Sequence, residues 1–229
     1  MKIENRDNRV LKLVVGKEVL DIGCTWVDDD GTWVHGDMIR VAKSVTGIDI
    51  TDVEQFRLKG YDIVQQSADE PYDLHRSFDV IVAAEVLDHT ANLGTFMDNV
   101  KRHLRPDGIL VVVMHNPQAF EFFLEQLFFK GSLRIYQHTH WQNETTMRNL
   151  LDRYGLELKY REFYHYGAFS KIGKVYDIMA LPLPQVFSRC VLYVAGHATR
   201  ETGVISSRTP RNDPTAGSWI TRPSSGVSV

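Results

Sequence analysis

The chain is poor in the features that mark several function classes. It has two cysteines in 229 residues, Cys24 and Cys190, far apart in the sequence. No Cys-x-x-Cys pair or Cys/His ladder spells a zinc site. So few thiols fit a reducing cytoplasm better than a disulfide scaffold. No apolar run approaches the ~20 residues that a membrane span needs, and the opening segment MKIENRDNRV lacks the apolar core of a secretion signal. Positive charge is not in surplus: 26 Lys and Arg face 29 Asp and Glu, so a basic nucleic-acid-binding face is not expected. A full Gly-x-Gly-x-x-Gly is missing too, and with it the glycine-rich helix start that a dinucleotide pyrophosphate uses. What remains is a cytoplasmic, soluble globular chain without a membrane span, with its oligomeric state open.

What is present is an alternation of short apolar runs with longer amphipathic ones, the pattern of β/α units on a mostly parallel sheet. Strands are expected at Glu18–Ile22, Val45–Ile50, Tyr61–Gln65, Phe78–Ala84, Ile109–Met114, Leu156–His165 and Cys190–Ala195. The run Phe78–Ala84 is nearly all apolar, as suits a central strand covered on both faces. Helices are expected through Met38–Ala42, Val53–Lys59, Leu93–Leu104, Gln118–Phe129 and Glu144–Tyr154, with Gly60 and Gly155 as stops. Arg105-Pro106-Asp107-Gly108 has the composition of a turn. From about Glu201 the chain is rich in Ser, Thr, Gly, Pro and Arg, so one domain over residues 1–200 is expected, with a disordered tail from 201 to 229.

In such a sheet, ligands bind beyond the carboxyl ends of the strands. The residues there are polar: Asp21 to Cys24, Asp49 to Asp52, Ser67 to Asp69, Glu85 to His89, and His115 to Pro117. Gly23 lacks a β-carbon, so backbone amides can approach a ligand. Asp49 ends the second strand, where a carboxylate can take both hydroxyls of a ribose. It lies about 28 residues after Asp21 rather than the roughly 20 of a dinucleotide fingerprint, the excess being the loop Thr25 to His35.

These segments, in order, carry a resemblance. Val19-Leu20-Asp21-Ile22-Gly23-Cys24 resembles motif I of class I S-adenosylmethionine-dependent methyltransferases. Val45 to Ile50 is similar to the family's second-strand acidic motif, and Phe78 to His89 to its motif IV. Leu104 to Gly108 is similar to the turn before strand five, and His138-Thr139-His140-Trp141 to a segment of members acting on small molecules and glycans. The resemblance implies a Rossmann-like three-layer α/β sandwich, with a mostly parallel seven-stranded sheet and one antiparallel strand near the edge. S-adenosylmethionine is the implied cofactor. Asp21, Gly23 and Cys24 would border its methionine part, Asp49 would hold the ribose, Ile50 would pack on the adenine, and Asp69 would sit near the adenine amino group. Glu85 and Val86 would close the pocket beneath the sulfonium. Where the family carries a second glycine, this chain has Thr25 and a longer acidic loop; Trp33-Val34-His35 resembles a Trp-Leu-His element of a related subset, which puts Trp33 and His35 among the cofactor contacts.

Methyl transfer is an in-line displacement that needs an aligned acceptor and, for a hydroxyl, loss of its proton. His89, His115, His138 and His140 are the candidate bases, because imidazole titrates near neutrality. His115 gains from its place after strand five and His140 from its neighbour Trp141; proximity alone, with the histidines only satisfying backbone groups, is the alternative. Asp28-Asp29-Asp30 offers oxygen ligands, but three consecutive side chains point in different directions, so it reads as a solvated turn and no metal is expected. The Phe-rich stretch Phe120 to Phe129 reads as a lid or core-covering helix, and Leu181-Pro182-Leu183-Pro184 as a rigid loop walling the acceptor site. The function expected is methylation, at oxygen, of a small-molecule or glycan acceptor. The rivals are a catalytically degenerate methyltransferase-like scaffold and a nicotinamide-dependent oxidoreductase.

Overall fold

The computed structural model describes residues 6–27, 31–128, 138–164 and 182–198. Its sheet takes strands β1 (Glu18–Ile22), β2 (Ser44–Asp49), β3 (Ile63–Gln65), β4 (Phe78–Ala84), β5 (Leu104–His115), β6 (Leu156–Tyr164) and β7 (Cys190–His197) in the order β3-β2-β1-β4-β5-β7-β6. β1 to β5 pair in parallel. β7 is antiparallel to both β5 and β6, so one strand, next to an edge, runs against the rest. This is the seven-stranded Rossmann-like sheet expected from the sequence.

The side-chain period of two divides each central strand between two cores. Leu20, Ile22, Ile81, Ala83, Leu110, Val112 and Met114 face one side, against Phe96, Met97 and Val100 of α4 (Leu93–His103) and Met147 and Leu151 of α6 (Glu144–Arg153). Val19, Val80, Val82, Val111 and Val113 face the other, against Val10 and Val14 of α1 (Arg6–Val14) and Met38 of α2 (Val34–Val41). Both faces are covered, hence the nearly unbroken apolar run of β4. The short α3 (Glu54–Arg57) follows Val53, which packs with Cys24 and Ile63 in a smaller third cluster. α4 starts where the Asn92 side chain accepts from Thr95 N, and α6 starts at a reciprocal Asn143–Thr146 box. α5 (Phe120–Phe128) buries Phe122 but exposes Phe123, Leu127 and Phe128.

Several expectations need correction. α1 was not foreseen, and α2 begins at Val34 rather than near Met38. Arg105 to Gly108 is not a free turn; the chain enters β5 at Leu104, and the pairing with β4 jumps from Phe78–Leu104 to Val80–Ile109, which absorbs the extra residues as a bulge. Pro184 is not a loop residue but opens the helical turn α7 (Pro184–Phe187), where a missing N–H costs nothing. Asp28 to Asp30, Phe129, His165, Leu181 and the expected tail from residue 201 lie outside the described residues.

Candidate functional site

The strand order reverses between β1 and β4. Loops leaving such neighbouring strands part toward opposite faces and open a crevice at their carboxyl ends. A cavity of about 540 Å³ lies there, a volume in the range of cofactor sites. Its wall takes Asp21 to Cys24 at the end of β1, Val34 and His35 from α2, Asp49 to Thr51 at the end of β2, Gln66 to Asp69 after β3, and Glu85, Val86, His89 and Thr90 after β4; Arg6 of α1 joins them.

Two backbone positions shape this wall. Gly23 has φ +78° and donates its N–H to Ile48 O at 2.8 Å, so β1 turns sharply against the end of β2. A β-carbon at Gly23 would overlap Val86 Cγ2 across the crevice. Glu85 also has a positive φ, +56°, unusual for a residue with a side chain. Such conformations gather at ligand sites because the surroundings over-determine them. Here the carboxylate of Glu85 is held by the guanidinium of Arg6, which ties α1 to the strand-four loop.

The acids of the wall are each braced. Asp21 is buried, with Oδ2 2.8 Å from His35 Nδ1. Burial pushes its carboxyl above the ordinary range, and the contact with His35 only partly offsets this. Gly47 makes that packing possible, since a β-carbon there would stand 2.9 Å from His35 Cε1. Asp49 accepts at Oδ2 from Thr25 N (3.0 Å) and Thr25 Oγ1 (2.8 Å), and at Oδ1 from Thr51 N (3.0 Å). Burial alone would raise its pKa, but the hydrogen bonds from Thr51 and Thr25 outweigh it and hold the carboxyl below its ordinary value. With two bonds on Oδ2 and one on Oδ1, Oδ1 keeps an acceptor site for a ligand hydroxyl. Asp69 accepts from Asn92 N (2.8 Å) and Ala91 N (3.1 Å), fixing the entry to α4.

A second cluster continues from the cavity wall. The ring of His89 meets that of His138 edge-on at 4.5 Å, and His138 lies 5.1 Å from His115. All three surround Asp88, which is fully buried. Asp88 Oδ2 is 3.2 Å from His138 Nε2 and 3.5 Å from His115 Nδ1. Burial opposes ionisation of Asp88, but His115, His138 and His89 outweigh it and keep its carboxyl below the usual value. His138 is brought in because Thr139 docks on the turn after β4: its N–H donates to Asp88 O at 2.9 Å and its hydroxyl to Thr90 O at 2.7 Å. Burial pushes the imidazoles of both His138 and His140 below their ordinary value, more than the charge of Asp88 restores. Trp141 and Phe122 add an apolar side, with ring centroids 5.3 Å apart. Among the described residues, Asp88, His115 and His138 are also the group whose ligand atoms, all within 4.8 Å of one another, have the spacing of a metal site.

Comparison with known proteins accords with this arrangement. The family model described as "Methyltransferase domain" matches residues 3–160. The chain belongs to the methyltransferase domain family. Among curated relatives, a "Ubiquinone biosynthesis O-methyltransferase" of Chelativorans sp. (strain BNC1) is 31% identical over 119 residues, 48% of this chain and 45% of that protein. One of the same name from Mesorhizobium japonicum is 32% identical over 119 residues, 48% and 46% of the two chains. This methyltransferase therefore spans about half the length of the curated relatives it matches. Among solved structures, a SAM-dependent methyltransferase from Archaeoglobus fulgidus superposes with a TM-score of 0.57 at 16% identity, covering 83% of this chain and 90% of the other. The N-methyltransferase NodS from Bradyrhizobium japonicum WM9, in complex with S-adenosyl-L-homocysteine, does so at 0.55 and 19% identity, covering 84% and 85%. Those two likenesses speak to the fold. S-adenosylmethionine is the cofactor that goes with the family.

The methyltransferase brings nine of the ten expected cofactor residues onto one cavity: Asp21, Gly23, Cys24, His35, Asp49, Ile50, Asp69, Glu85 and Val86. Trp33 is not on the lining; it packs behind the wall against His35, Phe56 and Tyr61, and its indole N–H donates to Cys24 O at 2.7 Å. Of the expected bases, His89 is on the wall; His115 is off the lining and lies 5.1 Å from His138, whose ring in turn meets that of His89. His140 has Nδ1 3.0 Å from Thr139 Oγ1, and its buried Nε2 has no hydrogen-bond partner among the described residues. Sequence reasoning missed two groups. Arg6 was missed because α1 was, although Val10 and Val14, one helical turn apart, carried its signal. Asp88 was passed over as part of a motif, although it is the carboxylate on which the histidines converge.

Proposed function

We propose that this methyltransferase moves a methyl group from S-adenosylmethionine to a hydroxyl oxygen of a small-molecule acceptor, a sugar hydroxyl included. The cavity fits the cofactor: Oδ1 of Asp49 has room for a ribose hydroxyl, exposed Ile50 offers an apolar face to an adenine ring, and Asp69 lies further along the same wall. Asp21, Gly23, Cys24, Glu85 and Val86 would hold the methionine end. Bound there, S-adenosylmethionine supplies an electrophilic methyl group on a sulfonium sulfur. The chain's own contribution is to orient the acceptor, exclude water and take the hydroxyl proton.

The observation that carries the oxygen assignment is the histidine cluster that His89 joins to the cavity wall. A nitrogen or carbon nucleophile has less need of a base, whereas a hydroxyl must shed its proton as the bond forms. His89, His115 and His140 are the groups proposed to do so. The name O-methyltransferase on the curated relatives supports the same reading. Incubation with labelled S-adenosylmethionine and a panel of phenols, catechols and sugars tests it. A mass increment of one methyl, on oxygen, is expected. Cofactor binding with transfer only to amines would refute the oxygen assignment.

A further inference from the structure

Asp88 poses a question that the histidines alone do not answer. Among the described residues, no hydrogen bond reaches either oxygen of this fully buried carboxylate, although two imidazole nitrogens stand 3.2 and 3.5 Å from Oδ2. A buried group in that condition marks either a bound cation or a catalytic arrangement that tightens when substrate binds. Trp141 discriminates between the two. Its indole N–H, which can only donate, points at His138 Nδ1 from 3.0 Å. The lone pair of Nδ1 is thereby engaged, so a neutral His138 carries its proton on Nε2, the nitrogen that faces Asp88. A cation between Asp88, His115 and His138 would need a lone pair on that Nε2 and would have to displace the Trp141 bond. The same indole N–H opposes protonation of Nδ1, which keeps His138 neutral and makes it a donor rather than a base.

We infer that Trp141, His138 and Asp88 form a positioning chain that holds the proton of His115 on Nδ1 and leaves His115 Nε2 as the base for the acceptor hydroxyl. This rests on the oxygen-methylation reading above. Trp141 fixes the tautomer of His138; His138 presents its Nε2–H to Asp88 across 3.2 Å and keeps it ionised; Asp88, 3.5 Å from His115 Nδ1, orients His115 through Nδ1–H, and both contacts close to hydrogen bonds when the acceptor binds. As the acceptor's O–H bond breaks, the proton goes to His115 Nε2 and the oxygen pair forms the bond to carbon. The resulting imidazolium is balanced by Asp88 and later returns its proton to water. Asp88, His138 and Trp141 act through His115 and are positioning residues. The charged and titratable groups around Asp88 are His89, His115, His138 and His140, with Cys190 behind.

Long-range ¹H–¹⁵N correlation spectra of the full chain, labelled at histidine, read the tautomers without turnover. His138 should be protonated at Nε2 near pH 8, and Trp141→Phe should lose that single tautomer while S-adenosylhomocysteine still binds. An Nδ1-protonated His138 in the wild type overturns it, as does one equivalent of Zn²⁺ or Mn²⁺ shifting the His115 and His138 nitrogens together. In turnover, Asp88→Asn should lower kcat by about 10²- to 10⁴-fold with KM little changed, as when an orienting carboxylate is lost from a histidine base. The acid limb of its kcat/KM profile should move to lower pH. Unchanged kcat in Asp88→Asn overturns the chain. Failure of S-adenosylhomocysteine to bind the folded wild type would instead sink the methyltransfer reading, whatever the tautomers show.

Discussion

Replacing Gly23 by alanine should cost stability in two separable parts. The first is conformational: φ is +78°, in the left-handed region, where a β-carbon costs roughly 1–2 kcal/mol. The second is steric, because the new β-carbon would overlap Val86 Cγ2 across the crevice, and overpacking of this kind costs about 1–3 kcal/mol. Gly60 isolates the first part, since it has φ +85° and nothing within 4 Å of a built β-carbon. Any gain from stiffening the unfolded chain is common to both alanines and cancels. Urea unfolding of the ligand-free protein should therefore show Gly23→Ala less stable than Gly60→Ala by about 1–3 kcal/mol. Val86→Ala removes the clashing methyl, so the double variant should be more stable than the sum of the two singles by a similar amount. Equal losses at Gly23 and Gly60, or a cycle additive within about 0.5 kcal/mol, would refute the placement of the β1 and β4 loops against each other.

Other outcomes follow from the same geometry. Trp33→Phe loses the indole bond to Cys24 O and should cost about 1 kcal/mol in unfolding experiments while leaving the acceptor site intact. Burial holds the pKa values of His138 and His140 below their ordinary value, so below an ordinary imidazole pKa of about 6.5 the unfolded chain binds more protons than the folded one. The melting temperature should accordingly fall as pH drops through that window, and the fall should shrink in His140→Gln; a flat profile contradicts the burial of these rings. Asp49 and Asp88, held below the ordinary carboxyl value, add a further loss in more acidic solution, as the pH drops past about 4. We also propose that the domain ends near residue 200, so a chain cut there should unfold cooperatively and bind S-adenosylhomocysteine as the full chain does.

The fold was legible where burial is two-sided. β4 and β5 read as apolar runs because both faces of the sheet are covered, and Gly60 and Gly155 marked helix ends because both adopt positive φ. The cavity wall was legible for a related reason: a parallel sheet opens its crevice at the strands' carboxyl ends, so the place of Asp21, Asp49 and Glu85 on one wall could be read from strand endings, while the cofactor roles given to them come from the family resemblance. Trp33 could not, because its side of the wall depends on packing with Phe56 and Tyr61 rather than on its place in the chain. The meeting of Asp88 with His138 was equally hidden. Fifty residues separate them, and the docking of Thr139 on the backbone of Asp88 and Thr90 joins them. The bulge at Arg105 to Gly108 reads as a turn because proline and glycine serve both roles.

We propose that the crevice between β1 and β4 holds S-adenosylmethionine. Calorimetric titration of the full chain with S-adenosylhomocysteine, beside NADH as a control and with Asp49→Ala checked for folding, tests it most directly. Saturable one-to-one binding of S-adenosylhomocysteine alone is predicted, weakened about tenfold or more by Asp49→Ala, as befits the loss of a hydrogen bond donated to a charged acceptor. Binding that Asp49→Ala leaves untouched, or no binding by a folded wild-type chain, would contradict it.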